Sequence, residues 1–217
     1  MTGSLHVRLA WLGAALGAVL VIAQGFYTIP ARMAEGGGIW RALVFYLSFF
    51  TIWTNTLLVV IYVAYASALP GLRALAGPTA RTLGAGSILL VMVIYAILLS
   101  PLNPVTGVER ALDTGLHYVA PVLFLVWWAL GPHPVPLRWS RAAVMMAWPV
   151  GYMVWIIARG LVIDRWPYPF VSLPDLGWGR LVVNLCGLAI VFALVFLALI
   201  ALSRALHRRN RYGVMAG

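Results

Sequence analysis

Charge is what this chain of 217 residues has least of, since charged side chains make up 9% of it and lysine is absent. Five acidic residues stand against fifteen arginines. Soluble domains carry roughly a quarter charged residues. Apolar residues make up 63% of the chain, more than a single soluble core of this size can enclose. The composition therefore excludes an ordinary soluble domain and indicates that lipid solvates much of the surface.

Cysteine is almost absent as well. The single cysteine, Cys186, lies in an apolar run, which excludes an internal disulfide and a CxxC redox motif. We expect it to behave as a small buried hydrophobic residue. The sequence contains no cluster of metal ligands, and one histidine inside an apolar stretch cannot supply the two axial ligands of a transmembrane haem. No metal or other cofactor is therefore expected.

The net charge of +10 is a weak signal for nucleic-acid binding. No helix-turn-helix, zinc-finger or RNA-binding signature accompanies it. Most of the arginines stand at the ends of apolar runs, where they set membrane topology and contact anionic headgroups. We expect membrane lipids, and no nucleic acid, as partners, while the oligomeric state stays open.

Six stretches without charge are long enough to cross a bilayer, which takes about 20 apolar residues with a range of about 17–25. Proline and glycine punctuate the segments between them. The pattern predicts an all-α polytopic bundle of six transmembrane helices that forms one integral membrane domain over 1–217. The fourth and fifth stretches are short, so we expect their helices to extend into flanking residues. The stretches are 9–29, 42–67, 82–100, 114–130, 142–158 and 181–203.

Arginine placement predicts the orientation. The two ends and alternate connections carry nine arginines and no acid, whereas the other connections carry six arginines and all five acids. The acid-free side belongs in the cytoplasm by the positive-inside rule, which places both termini there. The exclusive use of arginine is typical of a GC-rich bacterial genome, so we expect a bacterial plasma membrane.

Polar residues inside a membrane span are costly and often functional. Ser48, Thr51 and Asn55 have the spacing that would place them on one face of a helix through the second stretch. Thr51 lies about ten residues past Arg41, which corresponds to about 15 Å along a helix and to mid-bilayer depth. The other interpretation is structural, because such residues commonly bond their own backbone or a neighbouring helix.

His117 is the one histidine well inside an apolar stretch. Asp113 precedes it by four residues, so a helix would bring the carboxylate to the imidazole. Such a carboxylate selects the tautomer and stabilises the imidazolium. Pro121 follows by four residues and cannot donate to the His117 carbonyl, so we expect the helix to bend there. A hydrogen bond to a neighbouring helix is the alternative role for His117.

The fifth connection, 166–174, is rich in aromatic residues and proline. This composition resists a helix and favours a stiff extended segment. Such a segment either covers a cavity at the membrane surface or anchors the chain at the interface, and both interpretations stay open.

These pieces together resemble a known family. The six spans resemble the bacterial branch of the androgen-induced gene family, whose animal members include the androgen-dependent regulator of tissue factor pathway inhibitor. The resemblance covers most of the chain, from about the second span to the sixth. Four motifs carry it by their order and spacing: Phe50-Thr51-Ile52-Trp53-Thr54-Asn55, Leu102-Asn103-Pro104, Leu116-His117-Tyr118-Val119-Ala120-Pro121 and Tyr168-Pro169-Phe170.

The resemblance implies a membrane-embedded hydrolase with a threonine nucleophile and a histidine base. The animal members hydrolyse fatty acid esters of hydroxy fatty acids, so the implied substrate is a lipid or fatty-acid ester. By motif, the nucleophile falls on Thr51 and the base on His117, with Thr54 and Thr56 as neighbouring alternatives for the nucleophile. Asp113 would orient the base, and Asn55 and Asn103 are candidates for binding the substrate oxyanion.

A non-enzymatic membrane protein, such as a lipid-binding protein, carrier or scaffold, is the alternative function. The two classes differ in one structural requirement. An enzyme needs Thr51 and His117 to face one cavity within hydrogen-bond reach. In a scaffold the two side chains would point to different helices. His117 is expected to lie nearer the outer surface than Thr51, an offset of a few ångströms that a tilted or kinked helix pair could close.

Overall fold

The computed structural model describes residues 2–36, 38–102 and 104–215, with side chains described over 4–209 of that range. The chain is 86% helical, and its described part contains no strand. Six helical segments are long and apolar enough to cross a membrane, which confirms the predicted all-α six-helix bundle. The α-helices are α1 (Thr2–Ala34), α2 (Ile39–Tyr46), α3 (Phe50–Ser67), α4 (Arg73–Ala76), α5 (Pro78–Ile94), α6 (Gly107–Thr114), α7 (Ala120–Leu130), α8 (Arg141–Ile163) and α9 (Leu173–Met215).

The fourth and fifth spans extend beyond their charge-free cores, as expected, to Gly107–Leu130 and Arg141–Ile163. The first and sixth are longer still, at Ser4–Ala34 and Leu173–Arg209. Helix α9 contains one non-helical residue, Gly177, with a φ of 68° that only glycine adopts easily. Beyond that kink α9 follows the predicted sixth span.

The second span differs from the prediction of one helix over 42–67. It is interrupted at 47–49, so that α2 ends at Tyr46 and α3 begins at Phe50. Ser48 therefore does not share a continuous helix face with Thr51 and Asn55. Thr51 lies in the first turn of α3 instead of the middle of a longer helix.

Side chains satisfy the backbone groups that this break exposes. The Leu47 carbonyl accepts the indole N–H groups of Trp53 and Trp155 at 2.8 and 3.3 Å. The Ser48 carbonyl accepts the Tyr152 hydroxyl at 2.6 Å. The Phe50 N–H donates to the Tyr168 hydroxyl at 2.9 Å. Irregular backbone at membrane depth is tolerated where protein supplies such partners, so the break is a stable part of the fold.

Two π-helical turns, Tyr95–Leu99 and Gly115–Val119, interrupt the third and fourth spans. The second lies just ahead of Pro121, where the sequence predicts a departure from regular helix. Gly115 allows this turn to approach the first span, because a Cβ there would overlap the Leu20 side chain. Single π-turns of this kind occur frequently at functional sites.

The core lies between α1, α3, α5, α7, α8 and α9. Its fully buried members include Ile61, Ile88, Phe124, Met145 and Phe196. Large apolar side chains are exposed around the outside of the bundle, as expected where lipid is the solvent. Cys186 belongs to this exposed set, so the expectation of a buried cysteine is wrong. Its apolar surroundings in the sequence indicate contact with lipid instead of burial in protein.

Candidate active site

Thr51 and His117 meet directly. The Thr51 Oγ1 and His117 Nε2 atoms lie 3.1 Å apart, although the residues are 66 positions apart in the chain. The break at 47–49 puts Thr51 at the start of α3, and the second π-turn carries His117. Because α3 begins at Phe50, the depth offset expected from one continuous helix does not separate the two side chains.

Asp113 completes a chain of three polar groups. Its Oδ1 lies 3.0 Å from His117 Nδ1, as the four-residue spacing predicts. The Asp113 backbone carbonyl lies 3.0 Å from the same nitrogen. Both neighbours of Nδ1 are acceptors, so Nδ1 carries the proton and Nε2 is free to accept one. In this tautomer the Thr51 hydroxyl donates its hydrogen bond to Nε2.

Tyr95 is a further member of the site that sequence reasoning missed. Its hydroxyl donates to Asp113 Oδ2 at 2.6 Å. Its ring stacks on the His117 ring with centroids 3.6 Å apart and planes 12° apart. Tyr95 therefore holds both the carboxylate and the imidazole. Its place in an apolar run offers no signal for this role, which depends on the two π-turns that bring Tyr95 and His117 face to face.

Asn55 lies on α3, one helical turn after Thr51. Its amide nitrogen donates to the Thr51 carbonyl at 2.9 Å and to the Leu116 carbonyl at 3.2 Å. These bonds use both amide hydrogens and tie α3 to the second π-turn. Thr54 is fully buried and its hydroxyl has no hydrogen-bond partner among the described residues. Asn103, the other candidate for oxyanion binding, lies outside the described residues.

Two cavities meet at Thr51. The polar vestibule has a volume of about 580 Å³, and its lining includes Arg32, Glu109 and the three residues Thr51, His117 and Asp113. The apolar cavity, of about 60 Å³, lies between α3, α5, α8 and α9. Neither cavity is lined by Thr54 or Asn55. The residues that line both are Thr51, Tyr95, Leu99 and Tyr168.

The aromatic loop 164–172, which joins α8 to α9, lies over this junction and fits the cavity-covering role expected for the connection 166–174. The prediction of an extended segment is wrong in part, because Pro169–Val171 forms a 3₁₀ turn and residues 173–174 begin α9. Tyr168 lies against both cavities, and Pro167 and Pro169 line the vestibule. Burial raises the pKa of the Tyr168 hydroxyl above its ordinary value, so this group is protonated at neutral pH.

No group of three or more His, Cys, Asp or Glu side chains suited to a metal ion occurs in the described part of the chain.

No protein-family model, curated protein or solved structure matches this chain.

Proposed function

We propose that this protein is an intramembrane lipid ester hydrolase with Thr51 as nucleophile and His117 as general base. The 3.1 Å contact between Thr51 Oγ1 and His117 Nε2, at the junction of two cavities, is the observation that supports it most directly. It meets the requirement that separates an enzyme from a scaffold, because both side chains face one cavity. The family resemblance in the sequence points to the same pair.

In the acylation half of the reaction, Thr51 Oγ1 attacks the ester carbonyl carbon as His117 Nε2 takes the hydroxyl proton. The carbonyl π electrons move onto oxygen and form a tetrahedral oxyanion. Asp113 and the Tyr95 ring keep the resulting imidazolium in place. When the oxyanion collapses, the bond to the leaving alcohol breaks and the alcohol takes the proton from Nε2. Acyl-Thr51 remains.

In the deacylation half, a water molecule from the polar vestibule attacks the acyl carbon. His117 Nε2 takes one water proton as the new C–O bond forms. Collapse of the second oxyanion breaks the bond to Thr51 Oγ1, which regains its proton from Nε2. The free fatty acid leaves, and the three side chains return to their starting protonation states.

The two cavities hold different parts of an ester substrate, with Thr51 between them. The apolar cavity, at about 60 Å³, has room for the first carbons of the acyl chain next to a carbonyl at Thr51, and the rest of a long chain would extend beyond it. The polar vestibule accepts the alcohol part and water. The resemblance implies fatty acid esters of hydroxy fatty acids as the substrates.

The proposed setting is a bacterial plasma membrane with both termini in the cytoplasm. In that orientation the C-terminal ends of α1 and α8 lie at the outer surface. The loop 164–172 and the polar vestibule lie at the same end of the bundle. A lipid ester would then enter from the bilayer and be cleaved in its outer half.

The test is hydrolysis of long-chain and branched fatty acid esters by protein purified in detergent micelles, with a fluorophosphonate probe run alongside. We expect turnover and labelling by the wild type and by the Thr56→Ala control, whose side chain is exposed on the same helix. Thr51→Ala and His117→Ala should lose both while they remain folded. If Thr54→Ala is inactive while Thr51→Ala is active, the nucleophile is Thr54 instead of Thr51. A wild type without turnover or labelling would favour the lipid-binding or scaffold alternative. Wild-type activity in both Thr51→Ala and His117→Ala would show that these two residues are not the catalytic pair.

A further inference from the structure

We propose that Tyr168 is a catalytic residue whose hydroxyl donates a hydrogen bond to the oxyanion that forms at Thr51. This inference rests on the proposed hydrolase function and adds the group that the triad itself lacks. Ester cleavage needs a donor aimed at the developing negative charge, and such donors are often the largest single contribution to catalysis. Asn55, which the sequence suggests for this role, has both amide hydrogens committed to backbone carbonyls.

The position of the Tyr168 hydroxyl carries the argument. Its oxygen lies 2.9 Å from the backbone nitrogen of Phe50, the residue directly before Thr51. Consecutive Cα atoms are about 3.8 Å apart, so the hydroxyl is within a few ångströms of the Thr51 backbone. Tyr168 and Thr51 also line both cavities. An ester with the start of its acyl chain in one cavity and its alcohol in the other has its carbonyl at the junction, which Thr51 and Tyr168 line together with Tyr95 and Leu99.

The Tyr168 proton is available for this bond. Burial keeps the phenol protonated at neutral pH, as its raised pKa indicates. The Phe50 N–H occupies an acceptor position on the oxygen and polarises the O–H bond, which makes it a better donor. The neighbouring Tyr152 hydroxyl gives its own proton to the Ser48 carbonyl. The Tyr168 proton is left to point either at the Tyr152 oxygen or at a substrate oxygen in the cavity.

The loop that carries Tyr168 is held rigid before any substrate arrives. Proline residues flank Tyr168 on both sides and restrict its backbone. The Asn184 amide donates to the Phe170 carbonyl at 2.9 Å and fastens the loop to α9. The Trp166 ring packs directly on Gly160 of α8, where a Cβ would lie 2.5 Å from the ring. With the ring and the phenol oxygen fixed in this way, only the O–H bond has to rotate towards the oxyanion during the reaction.

The experiment compares Tyr168→Phe with a matched Tyr118→Phe control. Tyr118 also loses only a hydroxyl and lines neither of the two cavities. We expect Tyr168→Phe to lower kcat about 100-fold with KM changed less than about threefold, and the control to keep wild-type values. A long-chain boronic acid, which forms a tetrahedral adduct on Thr51, should bind about 100-fold more weakly to Tyr168→Phe. A non-hydrolysable ether analogue of the substrate should bind equally well.

The outcomes separate this inference from the proposed function. If Tyr168→Phe keeps kcat within about threefold while Thr51→Ala is inactive, Tyr168 is not a catalytic residue and the hydrolase stands. If boronate and ether bind more weakly by the same factor, Tyr168 only positions the start of α3 and the inference fails. A wild type without turnover or fluorophosphonate labelling overturns the proposed function and the role of Tyr168 with it.

Discussion

At the scale of single residues, the site is a set of groups whose partners fix their protonation. His117 Nδ1 is surrounded by two acceptors and therefore carries the proton, which leaves Nε2 for Thr51. The Tyr95 hydroxyl donates a hydrogen bond to the second carboxylate oxygen of Asp113, and the Tyr95 ring stacks on the imidazole. A threonine hydroxyl is a poor nucleophile without such a base, so the proposed activity depends on this one tautomer.

Asp113→Asn tests the tautomer directly. The asparagine amide can donate to Nδ1, which would move the histidine proton to Nε2 and leave Thr51 without a base. We expect kcat to fall by a factor on the order of 10³ to 10⁴, with little change in KM or in thermal stability. Steady-state kinetics and a melting curve measure both quantities.

The control for that substitution is Asp164→Asn, which makes the same chemical change in an exposed loop. Asp164 has a φ of 46°, a conformation that asparagine also tolerates. Full activity in Asp113→Asn would show that His117 does not need the carboxylate, and the assignment of Asp113 would then be wrong.

At the scale of elements, the sequence predicts the regular parts and misses the irregular ones. Apolar length predicts six spans, and spacing alone predicts the contact of Asp113 with His117. The interruption at 47–49 and the π-turn at Tyr95–Leu99 stay hidden because the residues there are as apolar as the rest of their spans. The backbone groups exposed at the interruption are satisfied by Trp53 and by the distant side chains of Tyr152 and Tyr168, which no local pattern reveals. Tyr95 and Tyr168 escaped assignment for the same reason.

Asn55 joins two of these irregular elements, and its replacement tests how strongly they are coupled. Asn55→Leu removes the bonds to the Thr51 and Leu116 carbonyls while it keeps a similar volume. We expect a loss of about 1 kcal/mol in stability, since interhelical bonds in membranes contribute about that much. We expect kcat to fall more than about tenfold, because Thr51 and the turn before His117 are no longer fastened together.

Thr56→Val is the matched control for Asn55→Leu, since Thr56 lies one residue further along α3 and is exposed. The melting temperature and kcat of both variants supply the comparison. An Asn55→Leu enzyme with normal kcat and lowered stability would show that Asn55 stabilises the fold and does not contribute to catalysis.

At the scale of the whole molecule, the two ends of the helix bundle differ in their charged residues and in the structural features they carry. All five acids, the vestibule and the aromatic loop belong to the end where α1 and α8 terminate. The other end carries arginine without acid, including Arg81, which donates to the Pro132 carbonyl, and Arg204, which donates to the Leu137 carbonyl. If the positive-inside rule holds, the proposed active site opens to the outer surface and the arginine end faces the cytoplasm.

Single-cysteine labelling decides this orientation. Cys186 is the only cysteine, so Cys186→Ala gives a background without thiols. Arg165→Cys and Arg138→Cys then place one exposed thiol at each end of the bundle. With a membrane-impermeant maleimide, we expect Arg165→Cys to react in intact bacterial cells and Arg138→Cys to react only after lysis. The native Cys186, exposed on the sixth span, should resist the same reagent in both preparations because a membrane-impermeant maleimide does not enter the hydrocarbon layer. The reverse labelling pattern would place the vestibule at the cytoplasmic surface, and substrates would then have to come from the inner leaflet.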